Sequence, residues 1–178
     1  MTRGILMTES KGSEDSFGAD WDEDDEDAQK DKYLTFIVGD EVFGFEIEFI
    51  TEIVGIQKIT EVPDMKNYIK GVINLRGLVI PVVDVRLRFG LEPREYDDRT
   101  CVIVVQLNDM SVGLIVDIVR EVTNISEDKI SRPPKVYGGT GSQYISGMGK
   151  LDDMVVILLS VTALLYENGS DTLSGLPA

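Results

Sequence analysis

Residues 44–53 and 113–122 are two versions of one segment. Gly44-Phe45-Glu46-Ile47-Glu48-Phe49-Ile50-Thr51-Glu52-Ile53 lies over Gly113-Leu114-Ile115-Val116-Asp117-Ile118-Val119-Arg120-Glu121-Val122. Glycine meets glycine and acid meets acid twice, at an offset of 113 − 44 = 69. Further on, Tyr68-Ile69-Lys70-Gly71 lies over Tyr144-Ile145-Ser146-Gly147, and Leu78-Val79-Ile80 over Met154-Val155-Val156, at an offset of 147 − 71 = 76. The second copy therefore holds 76 − 69 = 7 extra residues, assigned to the loop 133–142. A chain that repeats itself at this length is one small unit used twice.

The unit is mostly β. Phe43, Phe45, Ile47 and Phe49 alternate with Gly44, Glu46 and Glu48, the period of a half-buried strand. Residues 39–41 and 108–110 read as hairpin turns. The apolar runs 78–83 and 101–107 read as strands buried on both faces. Each copy ends in a capped helical turn, with Asp84 and Ser160 as N-caps. With about five short strands per copy, a sheet buries little unless it curls on itself. The expected fold is therefore mainly β: two tandem five-stranded barrel-like subdomains, roughly 33–100 and 101–166, with short helices. Two halves of one sandwich is the alternative.

Residues 1–32 differ from the rest, with 11 acids against 4 bases, and read as a disordered acidic extension. Residues 167–178 read as a flexible tail. The whole chain carries 17 − 32 = −15 charges, which argues against a groove for nucleic acid or a surface for anionic lipid. The absence of histidine removes His-based catalysis and His-ligated metal. Cys101 alone forms no internal disulfide or thiolate cluster, and one unpartnered thiol suits a reducing cytoplasm. No apolar run is long enough for a spanning helix. No cofactor and no catalytic constellation are expected.

The copies diverge where the first has Asn74-Leu75-Arg76-Gly77 and the second Lys150-Leu151-Asp152-Asp153. Asn74 and Gly77 suit the left-handed positions of a tight turn. Arg76 is not needed by such a turn, and its five donors can fork onto a partner's carboxylate or carbonyls. Alternation puts Ile50 and Glu52 on an outer face and Ile53 on an inner one, unless a bulge intervenes and reverses the two isoleucines. Gly44, Gly71, Gly113 and Gly147 sit at matched positions, so a shared backbone requirement explains them better than a ligand does.

These segments resemble the CheW family, the coupling proteins of bacterial chemotaxis. Gly71-Val72-Ile73-Asn74-Leu75-Arg76-Gly77, Ile80-Pro81-Val82-Val83-Asp84-Val85-Arg86, Gly113-Leu114-Ile115-Val116-Asp117 and Tyr144-Ile145-Ser146-Gly147-Met148-Gly149 carry the resemblance. It covers about 32–165 and leaves the acidic extension outside. It implies a CheW-like domain over 33–166, built as two intertwined five-stranded SH3-like subdomains, with room for strand exchange at the termini. It also implies a non-catalytic cytoplasmic adaptor, monomeric in isolation, located at receptor arrays on the inner face of the membrane. Its implied partners are the cytoplasmic tip of methyl-accepting chemoreceptors and the regulatory domain of the histidine kinase CheA. By the resemblance the receptor tip docks in the groove between the subdomains, with Ile50, Glu52, Ile53, Arg76 and Gly77 as the matching positions and Cys101 and Gly113 in support. The kinase positions are Arg132 and Tyr137. The same fold occurs in CheA and CheV, but 178 residues are expected to leave no room for a kinase core, and no receiver domain is visible. A small-ligand or oligonucleotide-binding β-barrel is the competing function. It is disfavoured by a folded segment with 32 − 11 = 21 acids against 17 − 4 = 13 bases.

Overall fold

The computed structural model describes residues 29–133, 143–167 and 170–171. The first copy supplies β1 (Lys32–Val38), β2 (Glu41–Glu46), β3 (Ile50–Gly55), β4 (Ile69–Leu75) and β5 (Leu78–Asp84), closed by helix α1 (Val85–Arg88). The second supplies β6 (Cys101–Leu107), β7 (Met110–Val116), β8 (Ile118–Asn124), β9 (Ile130–Ser131), β10 (Ile145–Leu151) and β11 (Met154–Leu159), closed by helix α2 (Val161–Leu165). Lys32, expected in the extension, already pairs with Asn124 in β1. Tyr166 and Glu167 pair with Asp171 and Ser170, so the expected tail begins with a short hairpin. Residues 1–28 of the expected extension and the rest of the expected tail lie outside the described residues.

The strands do not stay with their own copy. One sheet runs β8-β1-β2-β11-β10-β9 and the other β3-β6-β7-β5-β4. Each copy has lent its opening hairpin to the other copy's sheet. A boundary near residue 100 therefore cuts through both sheets, and the exchange involves whole hairpins rather than chain ends. Two short crossovers cause it. A 3-10 turn at Ile47–Phe49 separates β2 from β3, and the single residue Asp117 separates β7 from β8.

Each sheet curls so that its two edges come from one continuous stretch of chain. Beyond edge strand β3, Thr60 bonds both ways with Val72 on the opposite edge, at 2.8 and 2.9 Å. Beyond edge strand β8, β9 does the same against β10. The ladders themselves remain open, but the fold is mainly β in two SH3-like subdomains.

Burial follows the pleat. In β6, Val102 and Val104 point into a cluster with Ile73, Ile80, Val82 and Ile115, inside one sheet. Ile103 and Val105 point into a larger core with Phe36, Phe45, Leu114, Leu159 and Leu164, to which both sheets contribute. Ile125, Val156 and Leu158 fill the other sheet. Because the largest apolar core lies between the subdomains, neither buries its surface without the other. The expectation for 78–83 fails at its start: Leu78 and Val79 are each 59% exposed. They lie at a hairpin tip, beyond the reach of the opposing sheet.

The helical turns are capped as read from the sequence. Asp84 accepts from the Leu87 amide at 3.3 Å, and Ser160 from the Ala163 amide at 3.1 Å. Gly44 and Gly113 stand where a parallel strand passes, opposite Leu158 and Val82. A Cβ on Gly113 would meet methyls of Val102 and Val82 at 2.6 and 2.8 Å.

Candidate functional site

Leu75 pairs with Leu78, leaving a loop of two residues, Arg76 and Gly77. Such loops need positive φ to match the strand twist. The residues that adopt it are Arg76 at +53° and Gly77 at +87°, not Asn74. Asn74 remains in β4 and uses its side chain, its Oδ1 accepting from the Gly77 amide at 2.8 Å. The backbone thus holds Arg76 at an exposed tip. From there its guanidinium donates to the Glu52 carboxylate of β3. That hydrogen bond, then the Glu52 charge, raises the guanidinium's already high pKa. The pair spans the seam between the two edges of the sheet.

Beside it, the register of β3 against β6 shifts between Ile50 and Glu52. This bulge, together with the preceding 3-10 turn, resets the alternation expected from the sequence. Ile50 turns toward the main core and is half-buried. Ile53 turns out and is 41% exposed. Along this seam Ile53, Arg76, Gly77, Leu78 and Val79 are exposed, and Glu52 is half-buried. Two expected members lie apart. Cys101 is half-buried opposite Gly55, at the far end of β3. Gly113 is buried inside the sheet, where it contributes packing space rather than a contact surface. Arg132 is exposed after β9, on the other subdomain, and Tyr137 lies outside the described residues.

The repeat carries this surface over to the second subdomain, a consequence the site residues read from the sequence did not include. Ile53 corresponds to Val122 at the offset of 69, and Val79 to Val155 at 76. Both are 53% exposed. Arg76 corresponds to Asp152, which also takes a left-handed φ of +56°, and Glu52 to Glu121. The second seam thus has two carboxylates where the first has an ion pair. The repeat alignment, applied to the outward positions, was the signal that would have found it.

The crossover residue Asp117 is buried. Its Oδ2 accepts from the Gly39 amide at 2.8 Å, from Arg86 at 2.7 Å and from Arg94 at 3.4 Å. This cluster ties the β1–β2 turn to α1. Among the described residues, no group of His, Cys, Asp or Glu is arranged to hold a metal ion, and no helix is long and apolar enough to cross a membrane.

Comparison with known proteins agrees with this geometry. Residues 32–168 match the model of the CheW-like domain. The chain is 33% identical over 134 residues to the chemotaxis protein CheW of Klebsiella aerogenes, covering 75% of this chain and 81% of that one. It is 34% identical over 137 residues to CheW of Helicobacter pylori, covering 77% and 82%. The crystal structure of the scaffolding protein TtCheW from Thermoanaerobacter tengcongensis superposes with a TM-score of 0.73 at 35% identity, covering 79% of this chain and 96% of that one. The two-subdomain β fold, the Asn74-to-Gly77 hairpin and these likenesses lead to one assignment: the chain belongs to the CheW family of non-catalytic chemotaxis scaffolding proteins.

Proposed function

We propose that this scaffold couples methyl-accepting chemoreceptors to the histidine kinase CheA, and does so at receptor arrays on the inner face of the membrane. The observation that carries this reading is the pair of equivalent but differently charged surfaces on the two subdomains. A coupling protein needs two docking faces that do not compete, and the duplication supplies two while the substitutions at 76 and 152 distinguish them. The receptor tip docks on the first seam. There Ile53, Leu78 and Val79 offer apolar anchors inside a polar rim, and Arg76 offers donors once it exchanges Glu52 for a partner group. Ile50 supports the seam from beneath, and Cys101 lies at its far margin. The CheA regulatory domain docks on the other subdomain, whose loop surface carries Arg132.

Titration calorimetry of the full chain against a receptor-tip fragment and against the CheA regulatory domain tests both halves. Saturable binding to each is expected. Arg76→Glu should weaken the receptor fragment at least about tenfold, or 1.4 kcal/mol, and leave the kinase isotherm unchanged. Unchanged receptor affinity would remove the receptor from the first seam. Absence of heat with either partner would reject the coupling role itself.

A further inference from the structure

The two subdomains meet on a buried cation that the repeat gives no reason to expect. Position 88 corresponds to 164 at the same offset of 76 that matches Tyr68 with Tyr144 and Asp84 with Ser160. The second copy has Leu164 there, a buried core residue, while the first has Arg88, only 8% exposed. The guanidinium carbon of Arg88 lies 4.5 Å from the ring centre of Tyr68 and 4.7 Å from that of Tyr144. The two repeat-equivalent tyrosines thus hold it from two sides. Tyr68 leads into β4 of one sheet, and Tyr144 into β10 of the other. Arg88 Nε also donates to the Leu164 carbonyl of α2, at 3.0 Å. Its Nη2 and the Tyr68 hydroxyl are buried without a hydrogen-bond partner. The ion pairs among the described residues do not include Arg88.

A buried cation without a carboxylate is an expensive core residue, and the other copy demonstrates that leucine is accepted at this position. What arginine adds is geometry. A flat guanidinium between two ring faces, with one bond to a carbonyl, defines both a spacing and a tilt, whereas a leucine defines neither. Rotating one subdomain against the other would pull Arg88 from Tyr144 or from the Leu164 carbonyl and leave it desolvated with half its partners.

We propose that Arg88 is a positioning residue that sets the orientation of one subdomain relative to the other. It thereby sets the angle at which the two docking faces are presented, a consequence that rests on the coupling function proposed above.

The test uses the full chain with Cys101→Ser and nitroxide labels at Gln106→Cys in β6 and Lys150→Cys in β10, which lie in different sheets and are exposed. Pulsed electron spin resonance reads the distance distribution, and thermal melting reads stability. Arg88→Leu is expected to melt at the same temperature or higher, with a distribution at least about twofold broader or a displaced peak. Arg88→Lys, a point charge without the planar fork, is expected to fall between the two. Should Arg88→Leu fail to fold, Tyr144→Leu removes the far wall of the clamp and should broaden the distribution in the same way. Wild-type distributions in the folded variants would overturn the assignment. Receptor and kinase binding, measured separately on the wild type, decides the coupling role whatever the distances are.

Discussion

Gly71 and Gly147 are equivalent in the repeat, yet alanine should harm them unequally. At Gly71, φ is +140°, and an added Cβ would collide with the Thr60 carbonyl oxygen while lying 2.8 Å from the Thr60 carbonyl carbon and 3.0 Å from Glu61 Cα. Those are backbone atoms, held by the two Thr60–Val72 hydrogen bonds that join the edges of the sheet. Relief requires breaking that bridge. Strain at the positive φ costs about 1–3 kcal/mol, and the two lost hydrogen bonds about 0.5–1.5 kcal/mol each. A total of about 2–6 kcal/mol is a large part of a stability on the order of 5–15 kcal/mol. At Gly147, the nearest obstacle is the Ile130 Cγ2 methyl at 2.8 Å, and the nearest backbone oxygen is 3.4 Å away. That carbon is bonded to Cβ, so Ile130 must turn about χ1 or move with its two-residue edge strand, an overpacking cost of about 1–2 kcal/mol. Because the subdomains share their largest core, unfolding should be a single transition, and urea denaturation reads the difference directly. With a slope of about 2 kcal/mol/M, the midpoints of the two variants should differ by about 1 M urea. Equal midpoints, or a more damaged Gly147→Ala, would refute the idea that the Thr60 bridge is a rigid closure of its sheet.

The two helix caps provide a second matched pair. Asp84 caps α1 with Oδ1 and accepts from the Tyr96 hydroxyl at 2.7 Å with Oδ2, whereas Ser160 only caps α2. Burial first, then the bond to Asp84, holds the Tyr96 hydroxyl well above its ordinary pKa and keeps it a donor. Ser160→Ala should therefore cost about 1 kcal/mol and Asp84→Ala about 2–4, the excess being the stranded hydroxyl; equal losses in chemical denaturation would mean the Tyr96 bond contributes nothing. Glu46 carries a pH dependence. Desolvation first, then the hydrogen bond and charge of Glu48, raises its carboxyl above the ordinary 4.5, so the folded state binds this proton more tightly than the unfolded one. Its contribution is fully present below 4.5 and is lost as pH rises through the elevated value. Glu46→Gln should flatten the fall of melting temperature with rising pH in that window, and an equally steep fall in the variant would assign the effect to other groups.

Much of the architecture was legible because local rules and the repeat agree. Residues 39–40 and 108–109 turn where polar residues separate apolar runs, Asp84 and Ser160 cap where an acceptor precedes a helical turn, and β6 is buried on both faces as its β-branched run implies. The seam was less legible. Alternation alone assigned Ile50 outward and Ile53 inward, and a 3-10 turn with a bulge reversed them. Asn74 has the residue type that suits a left-handed turn position, but a two-residue loop puts that conformation on Arg76.

What the sequence determined by itself is the repeating unit, its β character, its turns and caps, and a family resemblance carried by contiguous motifs. Each of these depends on neighbours a few residues apart, whose steric and hydrogen-bonding preferences act before the chain is folded. Only the tertiary structure decided that each copy lends its first hairpin to the other, that Glu52 meets Arg76 across a seam, and that Arg88 sits between Tyr68 and Tyr144. An apolar face specifies that a strand must be covered, but many strands can cover it equally well. Which one does so is settled by the short crossovers at Ile47–Phe49 and Asp117, together with the core that both sheets must fill at once.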